Sequence, residues 1–304
     1  MTNFKIIQKR NIWLSISGAL FVIFLAALVV WGFKYGIDFT GGSLLEVKYL
    51  GSRPTVNQVE TSLTDLKLNS LIVQPVGSED MMLKFQDTAE ATHQAILSKL
   101  TALAKQLDKN NSLEELRFES VGPSIGAELK IKSLWAIFFA LLAMLAYITY
   151  AFRKVSRPIA SWKYASAAII AMFHDTIITM GVFAALGHFY GVEINTPFVA
   201  AVLTVLGYSV HDTIVVFDRI RENLPKSEFD FEGTVNMSLN QTLVRSLNTS
   251  LTVLLVLLAI IIFGGASIRT FALALAIGIF IGTYSSIFVA SPLLVVWEKL
   301  KRPL

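Results

Sequence analysis

The chain has no cysteine, which excludes disulfide staples, thiolate metal sites and cysteine nucleophiles. Charge is also scarce: Asp, Glu, Lys and Arg make up 16% of the 304 residues, against a hydrophobic share of 54% and a mean hydropathy of +0.60. Soluble domains carry about 25% charged residues, so this composition belongs in a bilayer. A net charge of +4 does not signal nucleic acid. The Lys and Arg sit beside apolar runs, where they hold loops on the cytoplasmic side. A phosphate-cradling loop is missing too, because GIDFTGG (36–42) is neither G-x-G-x-x-G nor followed by Lys-Ser/Thr. With no nucleophile and base arrangement either, hydrolase chemistry is excluded and no cofactor is expected.

What the chain does have is apolar length. A crossing helix needs about 20 apolar residues to span roughly 30 Å of hydrocarbon. Six runs qualify, at roughly 12–33, 133–152, 164–187, 196–217, 247–264 and 271–297. The first follows Lys5, Lys9 and Arg10 but is too long for a signal core and lacks a small-x-small cleavage site, so it is expected to be a retained anchor. Basic residues cluster before it, between the second and third runs (Arg153, Lys154, Arg157, Lys163), between the fourth and fifth (Arg219, Arg221, Lys226, Arg245) and after the sixth (Lys299, Lys301, Arg302). That bias places both termini in the cytoplasm. Three parts follow: a tail with the first helix (1–33), an outer domain (34–132), and helices 2–6 with their cytoplasmic loops (133–304).

The outer segment has a different texture. SLLEVKYL (43–50) reads as a strand, and Val56, Val59, Leu63 and Leu66 share one face of a helix opened by Pro54. SLIVQPV and MMLKFQ form a hairpin across GSED, a second amphipathic helix carries Ala95, Ile96, Leu100, Leu103 and Leu107, and LRFESV closes the segment. The order β-α-β-β-α-β is the split βαβ, ferredoxin-like pattern. The expected fold is a polytopic α-helical membrane protein, six transmembrane helices with one α+β domain between helices 1 and 2.

Two apolar runs contain carboxylates. Residues 173–180 read FHDTIITM and residues 210–223 read VHDTIVVFDRIREN; the shared HDTI is either a short coincidence or the trace of a duplication. An acid at the bilayer centre costs about 2.5–3.5 kcal/mol on insertion scales and usually faces protein or water. Thr204, Tyr208, His211 and Asp212 fall at i, i+4, i+7 and i+8, a polar stripe expected to look into the bundle. Arg245, Asn248, Thr249 and Thr252 make a second stripe on the fifth run. Antiparallel neighbours joined on the cytoplasmic side would bring Asp212 and Arg245 to similar depths, so an ion pair between them is expected.

In apolar surroundings a carboxylate can hold a proton and release it when a cation comes close, while arginine stays charged and histidine titrates near neutrality. Asp212, Arg245, Asp175, His211 and His174 are therefore candidates for a proton relay. The plainer reading of each, a structural ion pair or a packing hydrogen bond, stays open. The same histidines and aspartates offer metal-ligand types without a spacing that compels a metal, and none is expected. On the sixth run, Gly278 and Gly282 in GIFIG match the small-xxx-small pattern of close helix packing.

Three stretches carry a family likeness. GIDFTGG (36–42), VGPSIG (121–126) and above all GYSVHDTIVVFDRIREN (207–223) resemble signatures of the SecF family. These are membrane subunits of the SecDF accessory complex of the bacterial Sec translocase, related to the resistance-nodulation-division transporters. The resemblance implies a machine in the bacterial plasma (inner) membrane, its large domain on the periplasmic side. It would use the proton motive force to help preproteins complete their crossing. It implies as partners a separate SecD-like subunit, the Sec translocon channel and the translocating preprotein, with membrane lipid around the helices. By position, Asp212 and Arg245 match residues implicated in proton movement, and Asp175 falls in the family's HD-containing segment. The rival function is a proton-coupled exporter of small solutes or drugs of the resistance-nodulation-division type, although six spans and one small outer domain suggest half of such a machine.

Overall fold

The computed structural model describes residues 4–153 and 160–300; Lys154, Arg157, Lys301 and Arg302, part of the basic clusters, lie outside the described residues. Helix α1 (Arg10–Trp31) is followed by a single helical turn, α2 (Ile37–Thr40), and by β1 (Gly42–Tyr49). Next come α3 (Val56–Leu63), β2 (Ile72–Val76), β3 (Asp80–Phe85), α4 (Glu90–Leu107) and β4 (Leu113–Val121). Five helices complete the order: α5 (Pro123–Ala151), α6 (Ser161–Tyr190), α7 (Thr196–Asn223), α8 (Phe231–Phe263) and α9 (Ala266–Ser285). A π-helical turn, Ser286–Ala290, then joins α9 to α10 (Ser291–Lys299). Among the described residues six helices are long and apolar enough to cross a membrane. Two units form, Tyr35–Ser133 and the remainder of the chain.

Within the smaller unit the sheet is fully antiparallel in the order β2-β3-β1-β4, the arrangement expected of a split βαβ fold. One sheet face is apolar because alternate side chains point the same way. Leu45, Val47 and Tyr49 of β1 and Met81, Leu83 and Phe85 of β3 pack on Val59 and Leu63 of α3 and on Ile96, Leu100 and Ala104 of α4. Thr55 starts α3 through a capping box with Gln58, which satisfies two amides the first helical turn leaves open.

The stretches GIDFTGG and VGPSIG meet inside this unit. Gly41 has φ +76° and Gly42 φ +124°, and a Cβ on Gly41 would sit 2.7 Å from the Pro123 Cα. Glycine is needed at that position both for its backbone angle and for the close approach.

The larger unit is built around α6, α7 and α9 with α10. Ala167, Ala168 and Ala171 of α6, Leu206, Val210 and Phe217 of α7, and Ile287, Ala290 and Leu294 from the π-turn and α10 belong to one apolar core. Helix α7 begins at an Asn195 cap whose Oδ1 accepts the Phe198 amide at 3.3 Å.

Two of the expected spans are reshaped. The fifth apolar run is only the second half of α8, which starts at Phe231 on an Asp230 cap, the Oδ1 atom accepting the Gly233 amide at 2.8 Å. Hydropathy misses the first half because it is held by polar contacts. Asn236 Oδ1 accepts the amides of Ile6 and Ile7 at 3.0 and 3.2 Å, and Glu232 pairs with Arg10 at 2.8 Å and with Lys299 at 2.5 Å. The sixth run is not one regular helix. Pro292 has no amide hydrogen to give the preceding turn, the backbone widens at Ser286–Ala290, and the Ser291 hydroxyl donates to the Ser286 carbonyl at 3.1 Å.

Candidate functional site

Helices α6, α7, α8 and α9 bring two carboxylates into the interior of the larger unit. Asp175 of α6 is fully buried and Asp212 of α7 is 8% exposed. Asp175 Oδ2 accepts hydrogen bonds from Ser209 of α7 at 2.5 Å and Ser285 of α9 at 2.6 Å, and its Oδ1 lies 2.9 Å from His174 Nδ1. Asp212 Oδ1 accepts from Ser246 of α8 at 2.7 Å, and its Oδ2 accepts from Ser286 at the start of the π-turn. Consecutive serines, Ser285 and Ser286, thus serve different acids. Because adjacent residues of a helix point about 100° apart, one helix facing both α6 and α7 can supply both.

Close packing makes these contacts reachable. A Cβ on Gly278 would fall 2.2 Å from Val205 Cγ2, and one on Gly282 would meet Ser209 at 3.2 Å with Asp175 Oδ2 at 3.7 Å. The two glycines thus let α9 lie directly on α7, and Gly282 leaves room beside the Asp175 carboxylate. Hydroxyl and imidazole donors take the place of water, so each buried oxygen keeps a partner.

A second polar cluster lies one turn away on α7, α8 and α9. Tyr208 Oη is 3.0 Å from Ser250 Oγ, which is 2.5 Å from Thr283 Oγ1, and Thr283 donates to the Ile279 carbonyl at 2.8 Å.

The expected polar stripe on α7 is corrected. Thr204 and His211 are exposed on the chain and Tyr208 is half-buried, whereas Ser209, Asp212 and Thr213 lie on the buried face. The true face runs through Val202, Val205, Ser209, Asp212 and Val216, spaced by three or four residues, and His211 falls outside it. His211 is therefore not beside the Asp212 carboxylate, unlike His174, which is 5% exposed and touches Asp175. The His174 Nε2 atom makes no hydrogen bond, and its ring stacks on Phe21 of α1 with centroids 6.4 Å apart.

The expected ion pair is corrected as well. Among the described residues no ion pair joins Arg245 to Asp212; both carboxylate oxygens are occupied by serine hydroxyls. The rotation that aims Ser246 at α7 turns Arg245 outward, where it lines a cleft of about 410 Å³ with Val215, Asp218, Arg219, Gln241 and Thr242. The serines and Thr283 were the residues that sequence reasoning missed. Their signal was present but faint: Ser246 and Ser250, like Thr283 and Ser286, sit one turn apart on helices facing Tyr208 and Asp212.

A family model described as the C-terminal part of the protein export membrane protein SecD/SecF matches residues 99–300, and one for the SecD/SecF GG motif matches residues 26–49. The protein translocase subunit SecF of Thermobaculum terrenum is 46% identical over 283 residues, covering 89% of this chain and 86% of that protein. Its counterpart in Haemophilus influenzae is 38% identical over 94% of this chain and 83% of its own. Among solved structures, SecDF of Thermus thermophilus, described as a translocon-associated membrane protein, superposes with a TM-score of 0.80 at 32% identity, covering 98% of this chain. The chain spans 39% of the length of that SecDF chain.

Proposed function

The chain belongs to the SecD/SecF family of protein export membrane proteins, and from that premise we propose that it is the SecF-like half of a proton-driven accessory machine for protein translocation. Its partner is a SecD-like subunit, a reading supported by the likeness to the solved SecDF, of whose chain this one spans 39%. Both termini are cytoplasmic, as the basic loops favour, and the Tyr35–Ser133 unit stands on the outer side of the plasma membrane. There it acts on emerging preprotein beside the translocon channel.

The observation that carries the proton-coupled part is the burial of Asp212 and Asp175 in otherwise apolar helices, held by hydroxyls and one imidazole. Such placement costs about 2.5–3.5 kcal/mol per acid on insertion scales. A structural role needs no acid there, since serine or asparagine would bond as well. A proton carrier does need one, and a charge crossing the membrane gains about 2.3 kcal/mol per 100 mV. Arg245 stands at the cleft beside the same turn of α8. Its contact with Asp212 belongs to another state of the cycle, in which Ser246 is displaced. His174 Nδ1 lies 2.9 Å from Asp175 Oδ1 on the same helix. Replacing Asp212 with Asn removes the ionisable group at nearly constant shape. Export into vesicles should then lose its dependence on the proton gradient; a gradient-stimulated rate equal to the parent's would sink the proposal.

A further inference from the structure

Asp212 has different surroundings at its two ends. Towards the Asn223 end of α7, a cleft of about 410 Å³ reaches Val215 on α7 and Thr242 on α8. These residues lie one helical turn, about 5.4 Å, from Asp212 and Ser246 respectively. Towards the Thr196 end, again one turn away, the way is filled by Tyr208, Ser250 and Thr283, which touch one another across three helices. Ser250 is 4% and Thr283 6% exposed, while Tyr208 is half-buried and reaches the chain surface.

The direction of donation in this cluster follows from the hydrogens available, since each hydroxyl has only one. The Thr283 hydrogen goes to the Ile279 carbonyl. Ser250 must therefore donate to Thr283, and Tyr208 to Ser250. The row ends on a backbone carbonyl, which accepts a hydrogen bond but passes no proton on.

We propose that Tyr208, Ser250 and Thr283 form a hydroxyl gate on the proton route to Asp212, closed here by the Thr283–Ile279 bond. The gate rests on the proton-coupled reading above. It opens when the Thr283 hydroxyl leaves Ile279 and turns towards Ser286, whose own hydroxyl already lies 3.0 Å from the Thr283 carbonyl. A proton taken up at the Tyr208 oxygen then releases the Tyr208 hydrogen to Ser250. Ser250, Thr283 and Ser286 each accept one proton and give up one, and the hydrogen that Ser286 gives up passes to the Asp212 Oδ2 atom it already bonds. In the closed state Asp212 exchanges only with the cleft at the Asn223 end, the cytoplasmic end in the proposed orientation.

The test uses the full chain reconstituted with its SecD-like partner in proteoliposomes. Tyr208→Phe and Thr283→Val, which keep shape and lose a hydroxyl, should each lower gradient-driven proton flux by about tenfold or more, and Thr283→Ser should restore it. Because the chain has no cysteine, single thiols are read without background. Gln241→Cys, exposed in the cleft, should react with a membrane-impermeant thiol reagent from the Asn223 side about tenfold faster than Ser250→Cys, whose thiol is buried behind the Asp212 contacts. Equal labelling of the two, or parental flux in both Tyr208→Phe and Thr283→Val, overturns the gate. If Thr283→Val does not fold, the labelling pair and Tyr208→Phe decide alone. Asp212→Asn separates the two levels: parental flux in that variant removes the proton-coupled function itself, while lost flux in Asp212→Asn beside unaffected hydroxyl variants removes only the gate.

Discussion

Ser246 donates its hydroxyl hydrogen to Asp212 at 2.7 Å, while Arg245, its neighbour in sequence, faces the cleft. A hydrogen bond to a charged or buried acid stabilises by more than a neutral surface one. Ser246→Ala should therefore lower stability by about 1–3 kcal/mol, whereas Arg245→Gln, an exposed change on this chain, should stay within about 0.5 kcal/mol. Melting temperatures in one detergent compare them directly, and an equal loss in both variants would restore the Asp212–Arg245 pair as the resting contact.

Gly278 packs against Val205 with no room for a methyl group, the nearest atom lying 2.2 Å from a built Cβ. Gly278→Ala should cost about 1–3 kcal/mol by overpacking, and Val205→Ala in the same chain should recover part of it. If the double variant melts at the sum of the two single losses, the two residues are not in contact.

Gly41 combines φ +76° with a Cβ site 2.7 Å from the Pro123 backbone. An L-residue there costs about 1–2 kcal/mol in backbone energy alone, before the clash. Gly41→Ala should speed proteolysis of the Tyr35–Ser133 unit while leaving the membrane helices protected; unchanged digestion would show that the turn tolerates a side chain.

Tyr49 is wholly buried in the sheet core and its phenol oxygen has no hydrogen-bond partner. Burial pushes its pKa up to about 12. The neutral phenol is thus the form the fold favours: its contribution is intact below the ordinary tyrosine value near 10 and is lost as pH rises through about 12. Tyr49→Phe removes an unsatisfied hydroxyl whose burial costs about 1–3 kcal/mol, so the variant should melt higher and lose one late-titrating phenol in an ultraviolet titration. A lower melting temperature would mean that the hydroxyl is bonded in solution.

Much of the architecture was legible in the chain. Six apolar runs and an α+β segment could be placed from hydropathy and periodicity, because burial in lipid or in a two-layer core imposes those patterns directly. Asp212 and Asp175 stood out because an acid in an apolar run is costly wherever it points. The start of α8 was missed, since Asn236 and Glu232 hold it through contacts with residues distant in sequence. The π-turn was missed because a proline in an apolar run allows several outcomes.

What the sequence determined by itself was which segments leave water and which acids go with them, because transfer free energy depends on composition along a short stretch of chain. The partners of those acids were decided only by tertiary structure. A rotation of about 100° per residue separates Ser246 from Arg245 and Asp212 from His211, too fine a difference to read from a stripe. Which of two neighbours faces the acid is settled by how α8 and α9 pack on α7, contacts between remote parts of the chain such as Ser246 with Asp212 and Gly278 with Val205.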